Sequence, residues 1–242
     1  MTEKTVSEAI TYRRSVRIYD PEQPIDEKVV RECIRQATLA PTSSNLQLWE
    51  FYHITSEEVK TKMVKACLSQ TASRTAQQFV VAVARRDKWK ERVNANLDFL
   101  ESQFAKQEKR DSKREKMATS YYTKIIPILY TDFFGVMGIF KRMMATLRGI
   151  SKPMYRQVLS SDLDIVAQKS TALAAQNFMI SMAANGYDTC PMEGFDSKRV
   201  KTILGLPQTA MINMVISCGI RGKGGIYGPQ FRVPFKEVYF QK

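Results

Sequence analysis

Ala40-Pro-Thr-Ser-Ser-Asn-Leu-Gln-Leu-Trp-Glu-Phe51 holds the end of a helix, a polar loop and the start of a strand. The ring of Pro41 disfavours helical geometry at Ala40, so the periodic segment before it must stop there. Thr42 to Asn45 and Gln47 supply hydroxyls, amides and free backbone N–H groups where a helix hands over to a sheet. An ordinary helix-to-strand turn has this composition, and so does a ligand-holding loop on a rigid scaffold. A second polar cluster upstream, Arg13-Arg-Ser-Val-Arg17, favours the ligand-holding reading. Cations this closely spaced repel one another, and a bound anion relieves the repulsion. An exposed basic helix end facing the helix dipole is the alternative.

The bulk properties bound the rest. The chain has 242 residues, enough for one large domain with a real core, and 44% of them are hydrophobic, as in an ordinary globular protein. Its net charge of +13 asks for an anionic partner, whether nucleic acid, lipid or a phosphorylated cofactor. The excess concentrates between residues 101 and 160, where 12 basic side chains face 5 acidic ones. Cys33, Cys67, Cys190 and Cys218 form no CxxC pair, and His53 stands alone, so no metal site is expected. No apolar leader is visible after Met1, which leads us to expect a cytoplasmic protein with free thiols.

Read in order, Thr5-Val-Ser-Glu8 fits a capping box for a first helix, and Asp26 caps a second. Trp49 to His53 alternates as a strand, in which His53 is expected to pack rather than act as a base. Ser56 opens a helix, Phe79 to Ala84 is a buried central strand, and Trp89 to Phe104 is a helix with a wide apolar stripe. That helix is expected to continue as a charged, solvated face from Lys106 to Lys116. Between Ile125 and Leu147 no uncharged span is long enough to cross a membrane. Packing in the core or against a partner subunit is the expectation there for Phe133, Phe134, Met137, Phe140, Met143 and Met144, over contact with a membrane surface. Asp162 is expected to cap a long helix that stops at Asn185-Gly186. A strand from Tyr187 to Phe195, a short helix from Ser197, an apolar strand from Met211 to Ile220 and an extended tail with Arg232 complete the chain. No domain boundary is visible.

Four polar clusters, Arg13–Arg17, Thr42–Gln47, Pro191–Gly194 and Gly219–Arg232, therefore recur along the chain, and their order resembles the flavin-dependent nitroreductase family. Arg-Arg-Ser-x-Arg, Ala-Pro-Thr-Ser-Ser-Asn-x-Gln-x-Trp-x-Phe, Ala-Ala-Gln-Asn, Pro-x-Glu-Gly-Phe and a late Arg-x-Pro carry the resemblance. It spans nearly everything except about 101–160, and Leu48 stands where the family commonly has proline. The resemblance implies an α+β fold: one nitroreductase-like domain over 1–242, a mixed central sheet flanked by helices, and a variable helical insertion at about 101–160 covering the active site. It implies a homodimer whose C-terminal arms, Phe231 to Phe240, exchange between subunits. It implies FMN as cofactor and NADPH or NADH as electron donor. A small-molecule acceptor such as a nitroaromatic or quinone would be reduced by a two-electron ping-pong route, with no catalytic side chain and no nucleic-acid partner. Arg13 and Arg232 would hold the FMN phosphate, with Arg14 and Ser15 nearby, and Arg17 would sit near the pyrimidine edge. Thr42, Ser43, Asn45 and Gln47 would face the flavin. Backbone around Pro191, Met192, Glu193 and Gly194 would approach its ring, and Arg221 would lie in the same basic exit. A relative using reduced FMN for another reaction, or a non-enzymatic basic nucleic-acid-binding protein, is the alternative.

Overall fold

The computed structural model describes residues 3–108, 111–131 and 136–242. Phe133 and Phe134, singled out above, lie outside the described residues. Four strands form one sheet among the described residues: β1 (Trp49–Ile54), β2 (Gln78–Ala84), β3 (Asp188–Met192) and β4 (Met211–Gly219), in the order β1-β2-β4-β3. Every strand pair is antiparallel, and the parallel component expected of a mixed sheet is reduced here to a single bridge between Ser15 and Thr189. The helices are α1 (Val6–Tyr12), α2 (Glu27–Ala37), α3 (Glu57–Ala66), α4 (Thr71–Arg74) and α5 (Trp89–Ala105). They continue as α6 (Ser112–Ser120), α7 (Ile126–Tyr130), α8 (Val136–Arg148), α9 (Ser160–Ala184) and α10 (Ser197–Ile203).

β2 shows why the molecule has three layers. It is buried along its whole length, and its side chains alternate between two cores, as the strand period of two demands. Phe79, Val81 and Val83 join Met63 of α3 and Val200 of α10 on one face. Val80 and Ala82 join Val30 and Cys33 of α2 with Phe178 and Met182 of α9 on the other. A strand covered on both faces reads as a continuous apolar run, which Phe79 to Ala84 does. All four cysteines are buried and free. His53 lies on β1 with its Nε2 2.7 Å from Gln78 Oε1.

Local signals locate most helix ends. Thr5 and Glu8 form the capping box, the Asp26 carboxylate accepts from Lys28 N–H, and Gly186 leaves α9 with φ +81°. Two boundaries differ from expectation. The Asp162 carboxylate accepts from the Leu159 N–H, so Asp162 stands inside the first turn of α9 and closes it from within rather than capping it. The charged stretch after Phe104 is not a continuation of α5: the helix ends at Ala105, and Asp111 starts α6 by accepting from Lys113 and Arg114 N–H groups. An aspartate able to satisfy two orphan donors favours a new start over an uninterrupted helix. Between α6 and α7 the helix widens into a π turn, Tyr121–Ile125. Among the described residues no helix is long and apolar enough to cross a membrane, and no cluster of His, Cys, Asp and Glu is placed to hold a metal.

Candidate functional site

A cleft of ≈ 320 Å³ lies beside the β3 edge of the sheet, walled by Arg13, Arg14, Ser15 and Arg17 on one side and by Ile226 to Arg232 on the other. Local geometry explains both walls. After α1 the chain runs extended along β3, with Val16 N–H donating to Thr189 O at 3.1 Å and the Val16 side chain fully buried. The residues flanking Val16 are thereby held at the surface. The second wall is delivered by a glycine turn: Gly225 N–H donates to Gly222 O at 2.9 Å, and Arg17 N–H donates to Gly225 O at 2.7 Å. A Cβ on Gly225 would stand 2.5 Å from Ile18 O, so only glycine permits the tail to come this close. Arg14 Nη2 then donates to Gly228 O at 2.6 Å, fixing the tail across the mouth.

The electrostatics of the cleft are one-sided. Among the described residues, none of Arg13, Arg14, Arg17 and Arg232 is paired with a carboxylate. Partial burial pushes the Arg13 guanidinium below its usual range, and the neighbouring Arg232 and Arg14 push it further the same way. Such a cluster is short of one anion. The Cys190 thiol, on the strand beneath, is raised by burial although Arg17 and Arg13 pull it down, so it is no reactive thiolate.

β3 continues past Cys190 through Pro191 and ends at Met192, and the chain leaves it through Glu193 and Gly194. Met192 is buried, while Glu193 and Gly194 emerge at the surface. Gln70 Nε2 donates to Gly194 O at 2.6 Å and so holds this exit from behind. A Cβ on Gly194 would press on Gln70 Nε2 at 3.2 Å, and the exposed Gly194 N–H has no acceptor among the described residues.

The Thr42–Gln47 loop is built differently. Ser44, Asn45 and Gln47 have φ of 54°, 50° and 48°, left-handed values that cost non-glycine residues of order 1 kcal/mol each. A network holds them there. Thr42 Oγ1 accepts from Gln47 N–H at 3.2 Å, and Ser43 N–H donates to Ser170 Oγ on α9 at 3.4 Å. Asn45 Nδ2 donates to Asn96 Oδ1 at 2.9 Å, and Asn96 Nδ2 donates back to Asn45 O at 3.0 Å. The π turn points both its tyrosines at the same loop: Tyr122 O–H donates to Ser44 O at 3.0 Å and to Asn96 Oδ1 at 3.1 Å, and Tyr121 Oη lies 2.7 Å from Ser44 Oγ. Sequence reading missed Asn96. Its signal is an asparagine 7% exposed on the inner side of α5, where the periodicity calls for an apolar residue.

Two expected members stand apart from the cleft. Arg221 is turned to the buried Asp188, with Nε 3.0 Å from both carboxylate oxygens, and its guanidinium lies 4.0 Å from the centre of the Tyr12 ring. It ties the start of β3 to α1. The Thr42–Gln47 loop enters β1, at the opposite edge of the sheet from β3, three strand spacings or roughly 14 Å away. One chain therefore gathers Arg13, Arg14, Ser15, Arg17 and Arg232, sets Pro191 to Gly194 on the adjoining strand, and leaves Thr42, Ser43, Asn45 and Gln47 on the far edge.

Known proteins resemble this chain in sequence and in fold. The chain is 27% identical over 214 residues to Protein DrgA of Synechocystis, covering 88% of this chain and 83% of that protein. It is 26% identical to a Bacillus subtilis protein provisionally named NAD(P)H nitroreductase YdgI, over 93% of this chain and 92% of the other. In fold it is similar to an Exiguobacterium sibiricum protein crystallised in complex with FMN and provisionally named a nitroreductase, with a TM-score of 0.71, 21% identity and coverage of 100% and 99%. The Nitroreductase family model matches residues 10–220, a stretch that contains Arg13 to Arg17, the strained loop and the β3 exit but ends before Arg232. This chain belongs to the nitroreductase family.

Proposed function

We propose that the protein is an FMN-dependent oxidoreductase that uses NADH or NADPH to reduce nitroaromatic, quinone or related acceptors. The observation that carries this reading is the convergence of four guanidinium groups, without a carboxylate among them, on one cleft. A terminal phosphate is the complement such a cluster calls for, and hydrogen bonds between charged partners are about twice as strong as neutral ones. The rest of the cradle fits the same ligand. Gly194 leaves its N–H exposed towards a flat ring, with Gln70 closing the side on which a Cβ would stand, and the β3 strand joins it to the cleft. When bound, FMN supplies a two-electron carrier between the nicotinamide donor and the acceptor.

The side chains then divide the work. Arg13, Arg14 and Arg232 hold the phosphate with Ser15 beside them, and Arg17 presents positive charge to the adjoining end of the flavin. Asn45 and Gln47 read the hydrogen-bonding edge of the ring, while Asn96, Tyr121 and Tyr122 keep their loop in its left-handed form. Arg221 acts at one remove, by fixing the start of β3. No side-chain base is required of the site.

A second copy of the chain completes the cradle. The distance between the arginine cleft and the Thr42–Gln47 loop supports a site shared between two subunits, the loop of one facing the cleft of the other. The tail supports the same assembly: Phe231, Phe235 and Phe240 are 79%, 71% and 74% exposed, an apolar arm that the described residues leave largely uncovered. Purification tests the function directly. A yellow protein that releases FMN on denaturation, and bleaches with NAD(P)H in the absence of oxygen, is the expected result. A colourless protein that cannot be reconstituted with FMN would overturn the proposal.

A further inference from the structure

Helix α8 is packed the wrong way round for a core helix. At 100° per residue, Gly138 and Ala145 share one face, and these small residues are the ones buried. Ile139, Phe140, Met143 and Leu147 cluster on the opposite face and are 70%, 59%, 51% and 58% exposed. An amphipathic helix normally buries its large side chains and shows its small or polar ones. Lys141 fixes the orientation: its Nζ donates to Leu129 O at 3.1 Å and Thr131 O at 2.6 Å, at the end of α7. Among the described residues, Phe140 and Met143 are not packed in the core of their own chain.

The borders of this stripe indicate what covers it. Arg142 and Arg148 flank it on either side and are exposed, and Lys124 and Lys152 lie exposed on the adjoining segments. Residues 101–160 carry 12 basic side chains against 5 acidic ones. A second copy docked by the same face would set this basic rim against itself, since an isologous contact repeats each patch. A membrane surface bearing anionic headgroups satisfies both features, taking the apolar stripe into the acyl boundary and the arginines at headgroup level. The helix spans 13 residues, so it can lie along such a surface and cannot cross it.

We propose that α8 is a membrane-docking helix that seats the protein on an anionic lipid surface through Ile139, Phe140, Met143 and Leu147, with Arg142 and Arg148 at the headgroups. This does not depend on which cofactor the cleft holds. The test is sedimentation of the purified full-length protein with phosphatidylcholine vesicles, alone or containing about one-third phosphatidylglycerol. Wild type should sediment with the anionic vesicles only. The charge-conserving variant I139S/L147S should keep its melting temperature and its mass in solution, and lose about tenfold in partitioning. Three results would overturn the proposal. Wild type could fail to sediment with anionic vesicles. The variant could bind as well as wild type, which would reduce the effect to adhesion by net charge. The variant could lose a subunit in solution, which would assign the stripe to a second copy.

Discussion

Replacing Asn96 with leucine tests whether the loop network serves the cofactor or only the fold. Asn96 makes four hydrogen bonds from a position 7% exposed, and three of them run to Asn45 and Tyr122. At about 1 kcal/mol each, those three hold the loop with roughly 3 kcal/mol. They act against the left-handed strain at Ser44, Asn45 and Gln47, itself of order 1 kcal/mol or more per residue. Without the clamp the loop is free to relax away from the geometry that reads the flavin edge. We expect roughly 2 kcal/mol of the loss to appear in FMN binding, a Kd about 30-fold weaker. Fluorescence-quenching titration of the apoprotein measures it. An Asn96→Leu protein with a lower melting temperature but FMN affinity within about twofold of wild type would refute the reasoning, because the network would then be structural alone.

Arg232→Ala should weaken FMN by roughly 10- to 100-fold while leaving riboflavin, which lacks the phosphate, almost unaffected; equal losses for the two ligands would move Arg232 away from the phosphate. Asp188→Ala strands the Arg221 guanidinium beside Tyr12 and should cost roughly 3 kcal/mol, read as a melting temperature lower by roughly 6–12 °C. Burial raises the Cys33 and Cys67 thiols from the ordinary 9.0 to about 12, and Tyr130 from 10.0 to about 12. These groups stay neutral in the fold and ionise earlier in the unfolded chain. Their contribution is therefore fully present below pH 9 and is lost as the pH rises towards 12. Urea midpoints recorded across that window should fall steadily; a flat profile would contradict the burial.

The elements legible in the sequence are those whose signals are local. Thr5 with Glu8, Asp26 before α2 and Gly186 after α9 satisfy or release backbone groups within a few residues, and the chain shows them directly. Arg13, Arg14 and Arg17 were legible for a similar reason, since three cations within five residues announce an anion wherever the chain folds, whereas Arg232 was placed beside them only by the family resemblance. What was not legible depended on partners far away in sequence. Asn96 is polar on an otherwise apolar stripe because Asn45, 51 residues earlier, needs it. Arg221 looks like one more cleft cation until Asp188, 33 residues earlier, is seen to occupy it. The face that α8 turns outward could not be read either, because periodicity identifies an apolar stripe but not whether small residues opposite it make the better packing.

The placement of the two half-sites has a thermodynamic consequence. If the site is shared between two subunits as proposed, with the arginine cleft on the β3 edge and the Thr42–Gln47 loop on the β1 edge, a lone chain does not enclose a flavin. Cofactor binding and subunit association are then linked, and linkage is reciprocal: whatever factor dimerisation adds to FMN affinity, FMN adds to dimer affinity. Occupancy becomes a property of protein concentration as well as of cofactor supply. Dilution should drain FMN from the protein before any chain unfolds, and mixing an Arg13→Ala chain with an Asn45→Leu chain should restore one intact site per mixed dimer.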